Sequence, residues 1–174
     1  MESNWYVITG GPSSGKTTTV ELLKKRGYRT TIEHARHYID TQRITGKTVS
    51  EIRANQTAFQ HGVLDMQIAE EQSLPPHETV FLDRAIPDAL AYYRFLGLPE
   101  DAKITEALKH VSYKKIFILD PLPLVSDYAR TEDESAQQKI HTLLSDVYES
   151  LSFPVVHVLV LPPEERVEFI LNNL

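Results

Sequence analysis

The sequence predicts an α/β fold, a three-layer sandwich in which helices cover both faces of a parallel β-sheet. Along its 174 residues, short apolar segments alternate with segments that have helical spacing. The apolar segments do not alternate with polar residues, which is typical of parallel strands buried on both faces. Right-handed crossovers then join the neighbouring strands. The length fits one domain, residues 1–174.

Five segments have the composition of strands, because they are rich in β-branched and aromatic residues. Each has glycine or proline within four residues of at least one end, which marks a turn. In chain order, the predicted strands are residues 5–9, 28–32, 79–83, 115–119 and 155–160.

The segments between the strands predict helices from their apolar spacing and stop signals. Gly27, Pro75 and Gly97 follow three of them directly or closely, and the spacing over residues 33–44 is weak. The predicted helices are residues 16–26, 33–44, 50–73, 87–96, 100–110 and 132–150, with a last helix from Pro163. The stretch 120–133 has no periodicity and two prolines, so it predicts either a mobile lid around residues 120–135 or a static surface loop.

Composition excludes several classes of function. The net charge of −6 repels nucleic acid and anionic membranes, so neither is an expected partner. With no cysteine, the chain has no disulfide, thiolate metal site or thiol nucleophile. The longest apolar run, residues 155–161, is far too short to span a bilayer, and the N-terminus has no leader pattern, so we expect a cytoplasmic protein. The oligomeric state stays open, a homo-oligomer included.

One motif carries a specific chemistry. Between the first predicted strand and helix, the sequence fits G-x-x-x-x-G-K-[ST], the pattern of a phosphate-binding P-loop. Main-chain N–H groups of such a loop line an anion site at a positive helix end, lysine reaches the phosphates, and the hydroxyl binds Mg²⁺. The residues are Gly10, Gly11, Pro12, Ser13, Ser14, Gly15, Lys16 and Thr17, followed by Thr18.

Two acidic residues at predicted strand ends limit the types of reaction that this loop could support. Asp83 ends the third strand, where it would hold the water shell of a metal ion, and Arg84 follows it in place of the second acid that is common in work-producing ATPases. Glu33 follows the second strand and would accept the proton of an attacking hydroxyl. The alternatives are a structural Asp83–Arg84 ion pair and an acid that favours a helix start. The guanine-reading sequence N-K-x-D is absent, which argues against a GTPase.

A resemblance covers nearly the whole chain. Thr9 to Thr18, then Glu33-His34-Ala35-Arg36, then Phe81-Leu82-Asp83-Arg84 with Asp88 and Ala91-Tyr92, resemble the NadR-like ATPase/kinase family, and Tyr128-x-Arg130 and residues 163–167 continue the match. This family includes ribosylnicotinamide kinase domains and is more distantly similar to thymidylate and deoxynucleoside kinases. The resemblance implies a P-loop NTPase sandwich, nucleoside-kinase-like, with strand order 2-3-1-4-5, that uses Mg²⁺ and ATP.

The resemblance also implies roles for individual residues. Glu33 would be the base, Asp83 a metal-shell acid, Arg84 and Arg36 substrate or phosphate contacts, and Arg130 the lid arginine. A lid arginine neutralises charge in the transition state, and the alternative is a solvated side chain. No nucleotidyltransferase domain or DNA-binding helix pair is apparent in the sequence.

Further side chains fit less specific interpretations. Asp88 would contact acceptor hydroxyls, while Tyr92, Tyr93 and Phe95 would wall an acceptor or belong to the core. His34 and His37 stand three residues apart beside Glu33, but a soft-metal site adds nothing to phosphoryl transfer.

The sequence therefore predicts a Mg²⁺–ATP-dependent kinase that phosphorylates a hydroxyl of a nucleoside-like small molecule. Two alternatives remain at this point: an NTPase whose acceptor is water, and a non-catalytic nucleotide-binding module that acts through a partner protein.

Overall fold

The computed structural model describes residues 2–122 and 134–174. Within these residues, five strands form one sheet with the order β2-β3-β1-β4-β5, and all neighbouring strands pair in parallel. Both the α/β class and the strand order implied by the resemblance are confirmed. The strands are β1 Trp5–Thr9, β2 Arg29–Thr30, β3 Val80–Asp83, β4 Lys115–Leu119 and β5 Val155–Val158.

Helices connect the strands and lie on both faces of the sheet. In the described part of the chain they are α1 Lys16–Lys25, α2 His34–Ile44, α3 Val49–Ala54, α4 Gln56–Ser73, α5 Ile86–Leu96, α6 Ala102–Leu108, α7 Glu134–Glu149 and α8 Pro163–Leu171.

The helix predicted over residues 50–73 is interrupted at Asn55. The Asn55 side chain accepts a hydrogen bond from the Ala58 backbone N–H and so caps the start of α4. An asparagine favours such a cap over a position inside a helix. The break turns α3 against α2 and α4, where Ile39, Ile52 and Phe59 form a separate apolar cluster.

The two outer strands are shorter than predicted. β2 has only Arg29 and Thr30 in the ladder, and β5 ends at Val158 rather than at residue 160. Leu159 and Val160, which follow β5, are 67% and 56% exposed. Edge strands pair on one side only, so apolar composition alone does not extend them.

The core lies on both faces of the sheet. Val7, Leu82 and Ile116 belong to one buried cluster, which includes Ile140 and Leu144 of α7. Their neighbours along the strands point to the opposite face and pack with residues of α1 and α8, among them Leu23 and Ile170. The central strands are apolar on both faces because helices cover both. Among the described helices, none has the length and apolar character that would let it cross a membrane.

A buried carboxylate joins α4 to the start of α5. Glu71 accepts hydrogen bonds from Gln67 Nε2 at 2.8 Å, from the Ile86 N–H at 3.0 Å and from the Tyr113 hydroxyl at 2.7 Å. Burial raises the pKa of Glu71 to about 7, although these donors oppose the shift. Because the unfolded carboxyl titrates near 4.5, the folded chain binds this proton more tightly than the unfolded chain.

This difference predicts a contribution of Glu71 to stability that falls as the pH rises from about 4.5 to about 7. In Glu71→Gln, the amide oxygen keeps the donors on Oε1 and the amide nitrogen donates to Tyr113. We therefore expect the free energy of unfolding of the wild type, relative to Glu71→Gln, to fall across this interval by on the order of 1–3 kcal/mol. Urea unfolding at several pH values measures it.

Glu100→Gln, at an exposed position, is the matched control and should leave the pH dependence of the wild type unchanged. A constant difference between wild type and Glu71→Gln across the interval would contradict the assignment.

Candidate active site

The predicted phosphate loop lies between β1 and α1, and its backbone needs unusual conformations. Gly10 has φ 152° and Gly15, the N-cap of α1, has φ 78°. A Cβ at Gly15 would also overlap the guanidinium of Arg166, so only glycine fits. Ser13 adopts φ 55°, a left-handed value that residues other than glycine adopt infrequently. The loop therefore has the sharp turns that a concave anion site requires.

Two hydroxyl groups of this loop are buried without a hydrogen-bond partner among the described residues: Ser14 Oγ and Thr17 Oγ1. Buried hydroxyls normally find partners. Their arrangement at the start of α1, where backbone N–H groups and the helix dipole favour negative charge, suits an anion and a cation bound to it.

Lys16 joins the loop to both predicted acidic residues. Its ammonium donates to Asp83 Oδ1 and lies 3.6 Å from Glu33 Oε1, and the lysine side chain is 2% exposed. Burial raises the pKa of Asp83, and the charge of Lys16 opposes this rise. The parallel register explains why Lys16 contacts Asp83. Asp83 at the end of β3 pairs with Ile8 near the end of β1, and the loop that carries Lys16 follows β1.

Glu33 lies at the N-cap of α2, yet its carboxylate makes no capping hydrogen bond. Oε1 lies 3.6 Å from Lys16 Nζ and 3.9 Å from Arg84 Nε, while Oε2 lies 3.8 Å from Arg36 Nε. The carboxylate thus faces three cations rather than its own helix end. Its side chain is 16% exposed.

Arg84 has a left-handed backbone, with φ 69°. Its N–H donates to Ile8 O at 3.0 Å. The side chain bonds Asp88 Oδ1 at 2.8 Å, and the guanidinium lies 5.4 Å from the centroid of the Tyr92 ring. Such a conformation costs about 1–3 kcal/mol and persists where the surroundings determine it, often at functional sites.

Asp88 makes several of the hydrogen bonds in the surroundings of Arg84. Among the described residues, its Oδ1 accepts from Thr9 Oγ1 at 2.5 Å and from Arg84, and its Oδ2 accepts from the Ala85 N–H at 3.1 Å and from the Tyr148 hydroxyl. The carboxylate therefore links β1, α5 and α7 to Arg84.

A cleft opens beside the loop, and the space within it and its mouth is about 790 Å³. It is bounded by residues of α2, α3, α4 and α5. Its lining includes Pro12, Glu33, Arg36, Phe59, Gln60, Arg84, Asp88 and Tyr92. The cleft thus borders both the loop and the charged cluster around Lys16.

The two histidines beside Glu33 diverge. His34 is buried, with Nε2 2.5 Å from Glu70 Oε2, whereas His37 is exposed. Within residues 2–122 and 134–174, no group of three His, Asp or Glu side chains is arranged to hold a metal ion.

The structure brings most of the sequence-predicted residues together. Lys16, Glu33, Asp83, Arg84 and Arg36 form one cluster next to the loop, and Thr18 is exposed on α1. Tyr92 lines the cleft, whereas Tyr93 is buried in the core. Arg130 and most of the predicted lid lie outside the described residues.

Gln60 and Gln67 line the cleft from α4 and were not among the predicted site residues. A signal was available, because both are polar residues seven positions apart on the face that also carries Phe59 and Val63. Gln137, which donates to the loop from α7, was not predicted either.

Comparisons with known proteins identify a family and a shared fold. A family model described as an AAA domain matches residues 5–166. No curated protein matches the sequence significantly. Among solved structures, deoxyadenosine kinase from M. mycoides with bound dCTP is 15% identical, with a TM-score of 0.66 over 97% of both chains.

Structures of NadR show a similar relation. NadR in complex with NR is 20% identical, with a TM-score of 0.65 over 90% of this chain and 43% of NadR. NadR in complex with NAD and AMP-PNP is 18% identical, with a TM-score of 0.66 over 98% of this chain and 49% of NadR. The chain thus spans about half the length of NadR, and these likenesses show a shared fold.

The contacts of Asp88 predict its effect on stability. Asp88→Asn puts an amide donor against existing donors and removes the buried partner of Arg84, so we expect a loss of about 3 kcal/mol or more in the free energy of unfolding. Tyr148→Phe removes a single donor and should cost about 1 kcal/mol. Urea unfolding compares the two. A smaller loss for Asp88→Asn than for Tyr148→Phe would contradict this account.

Proposed function

Because this chain belongs to the P-loop family of AAA domains, we propose that it is a Mg²⁺–ATP-dependent kinase that transfers the γ-phosphate to a hydroxyl group of a nucleoside-like small molecule. The coarser statement, a nucleotide-binding P-loop domain with a fold similar to nucleoside kinases, rests on the family match and the shared fold.

A single observation carries the proposal: the phosphate loop and the cleft meet at shared residues. Pro12, Glu33 and Arg84 line the cleft, and Glu33 and Arg84 also belong to the charged cluster around Lys16. A kinase needs its donor phosphate and its acceptor hydroxyl in contact, and a hydrolase of nucleotides needs no second cleft. The meeting of the loop and the cleft at Glu33 therefore favours transfer.

The loop would bind the phosphates of ATP through its backbone N–H groups and Lys16. Its residues also fit a magnesium ion, because the Thr17 hydroxyl is buried without a partner in the described part of the chain and the Asp83 carboxylate is close to Lys16. Mg²⁺ commonly takes one or two protein oxygens together with phosphate oxygens and water. When bound, it would neutralise charge on the phosphates.

Glu33 would accept the proton of the acceptor hydroxyl as that oxygen attacks the γ-phosphorus. The bond between the γ-phosphorus and the bridging oxygen then breaks, and ADP leaves. A positioned base of this kind contributes about 10²–10⁴-fold. Lys16 and Arg84, at 3.6 Å and 3.9 Å from Glu33 Oε1, would stabilise charge on the transferring group.

The remaining residues orient these groups. Asp88 would position Arg84 by its 2.8 Å hydrogen bond, and direct contact of Asp88 with acceptor hydroxyls stays a prediction. Arg36 faces Glu33 and the cleft, where it would contact substrate. Arg130 as a lid arginine also stays a prediction.

The chemistry of the acceptor follows from the walls of the cleft. Phe59 and Tyr92 offer aromatic faces, and Gln60, which is 6% exposed, offers an amide. Aromatic faces with a few polar groups suit a flat ring that carries hydrogen-bonding groups. Solved structures with the same fold include kinases of deoxyadenosine and a NadR complex with NR.

Turnover with a panel of acceptors tests the proposal directly. We expect ADP formation from Mg²⁺–ATP to depend on at least one nucleoside, with a matching phosphate monoester by mass spectrometry. Lys16→Ala should abolish both turnover and tight nucleotide binding, and the exposed Lys109→Ala is the matched control. ATP hydrolysis that is indifferent to every acceptor would favour the NTPase, and binding without turnover would favour the regulatory module.

The role of Glu33 gives a separate prediction. Glu33→Gln keeps the size of the side chain but removes its capacity to accept a proton, so we expect unchanged ATP binding and a rate of transfer lower by about 10²–10⁴-fold. Calorimetry measures the binding, and rapid-quench assays measure the rate.

Glu70→Gln, on the neighbouring acid that contacts His34, controls for a general loss of negative charge. A Glu33→Gln variant that transfers phosphate at the wild-type rate would remove Glu33 from the role of base.

A further inference from the structure

We propose that Gln137 of α7 and Arg166 of α8 are positioning residues of the phosphate loop. Together they hold carbonyl groups of the loop on its outer side, so that the N–H groups of the same peptides face the phosphates. The inference rests on the proposed binding of nucleotide by this loop and extends it to residues that would not touch the nucleotide.

Successive carbonyls of the loop each have a partner in the described structure. Pro12 O accepts from Gln137 Nε2 at 2.6 Å, Ser13 O accepts from the Leu122 N–H at 3.0 Å, and Ser14 O accepts from Arg166 Nη1 at 3.1 Å. Gly15 O accepts from the Thr19 N–H and hydroxyl in the first turn of α1.

Because peptide units are planar, these contacts also determine the direction in which the N–H groups of the loop point. No peptide bond is cis within the described ranges, and in a planar trans peptide the C=O and the following N–H point in opposite directions. Fixing Pro12 O and Ser14 O therefore directs the N–H groups of Ser13 and Gly15 away from α7 and α8. A loop with its donors already oriented binds an anion without reorganising.

Arg166 is unusual for a buried arginine. It is 3% exposed, and its hydrogen bonds go to oxygens of Ser14, Leu161 and Thr19. In the part of the chain described, it makes no ion pair with a carboxylate. A buried guanidinium without a carboxylate partner is costly, and its charge lies next to the site where phosphate charge would accumulate. Arg166 therefore would both orient the loop and supply positive charge beside the site where phosphate would bind.

Gln137 acts from the other side of the loop. It is 4% exposed, and its Nε2 donates to both Pro12 O, at 2.6 Å, and Leu122 O, at 3.0 Å. Helix α7 packs closely there, because a Cβ at Gly11 would lie 3.1 Å from Gln137 O and from His141 Cβ. Loss of the side-chain amide would leave the packing in place and release the Pro12 carbonyl.

The test compares Gln137→Met and Arg166→Met with wild type. The probes are Mg²⁺–AMP-PNP and inorganic tripolyphosphate, titrated by calorimetry well below the melting temperature of each variant. Gln138→Met, exposed on α7, and Arg26→Met, which removes the exposed contacts of α1 with Glu164 and Glu168 on α8, are the matched controls.

We expect each positioning variant to lower the affinity for both probes by about tenfold or more. This is about the contribution of one hydrogen bond to a charged group, and each variant would misorient one N–H donor. The KM for ATP should rise while the KM for the acceptor stays constant. Arg166→Lys, which keeps the charge and one donor, should recover part of the affinity. It also replaces Arg166→Met if that variant does not fold.

Wild-type affinity for both probes in Gln137→Met and in either Arg166 variant would overturn the inference while leaving the proposed function intact. Equal losses in the two control variants would overturn it as well, because the effect would then follow from helix packing. Failure of the unaltered chain to bind either probe would instead refute the proposed function and this inference with it.

Discussion

The parallel pairing of β1 with β3 is the constraint on which the site depends. It sets Ile8 opposite Asp83, and the hydrogen bond from the Arg84 N–H to Ile8 O continues the ladder one residue beyond β3. Because parallel strands end at the same edge, the loop after β1 meets Asp83 and Arg84 there. β2 pairs with β3 on its other side and brings Glu33 to the same edge.

Charge compensation holds the side chains that meet there. Lys16, Glu33, Asp83, Arg84 and Asp88 are mostly buried, so each charge needs a partner of opposite sign. Lys16 contacts both Asp83 and Glu33, and Arg84 lies between Glu33 and Asp88. An anionic ligand would join this network beside Lys16 and the backbone N–H groups at the start of α1. The cluster therefore connects the strand ends, and phosphate chemistry would occur at the same residues.

The sequence predicted what depends on local composition. Apolar strands bounded by glycine or proline gave the parallel sheet, and the loop was identifiable because its chemistry requires glycines at fixed spacing. Contacts between distant segments were not predictable: Gln137 and Pro12 are 125 residues apart, and Arg166 and Ser14 are 152 apart. The burial of Arg166 against the loop has no local signal in α8 that could have indicated it. The break at Asn55 was hidden within a continuous helical pattern.

A crystal structure with Mg²⁺–AMP-PNP and the acceptor identified by turnover tests the central claim most directly. The account predicts triphosphate oxygens on the N–H groups of the loop from Gly10 to Thr17, with Lys16 on the phosphates. It also predicts an acceptor hydroxyl within hydrogen-bond distance of Glu33 and facing the γ-phosphorus. A triphosphate bound away from the loop, or an acceptor whose hydroxyls all face away from Glu33, would contradict it.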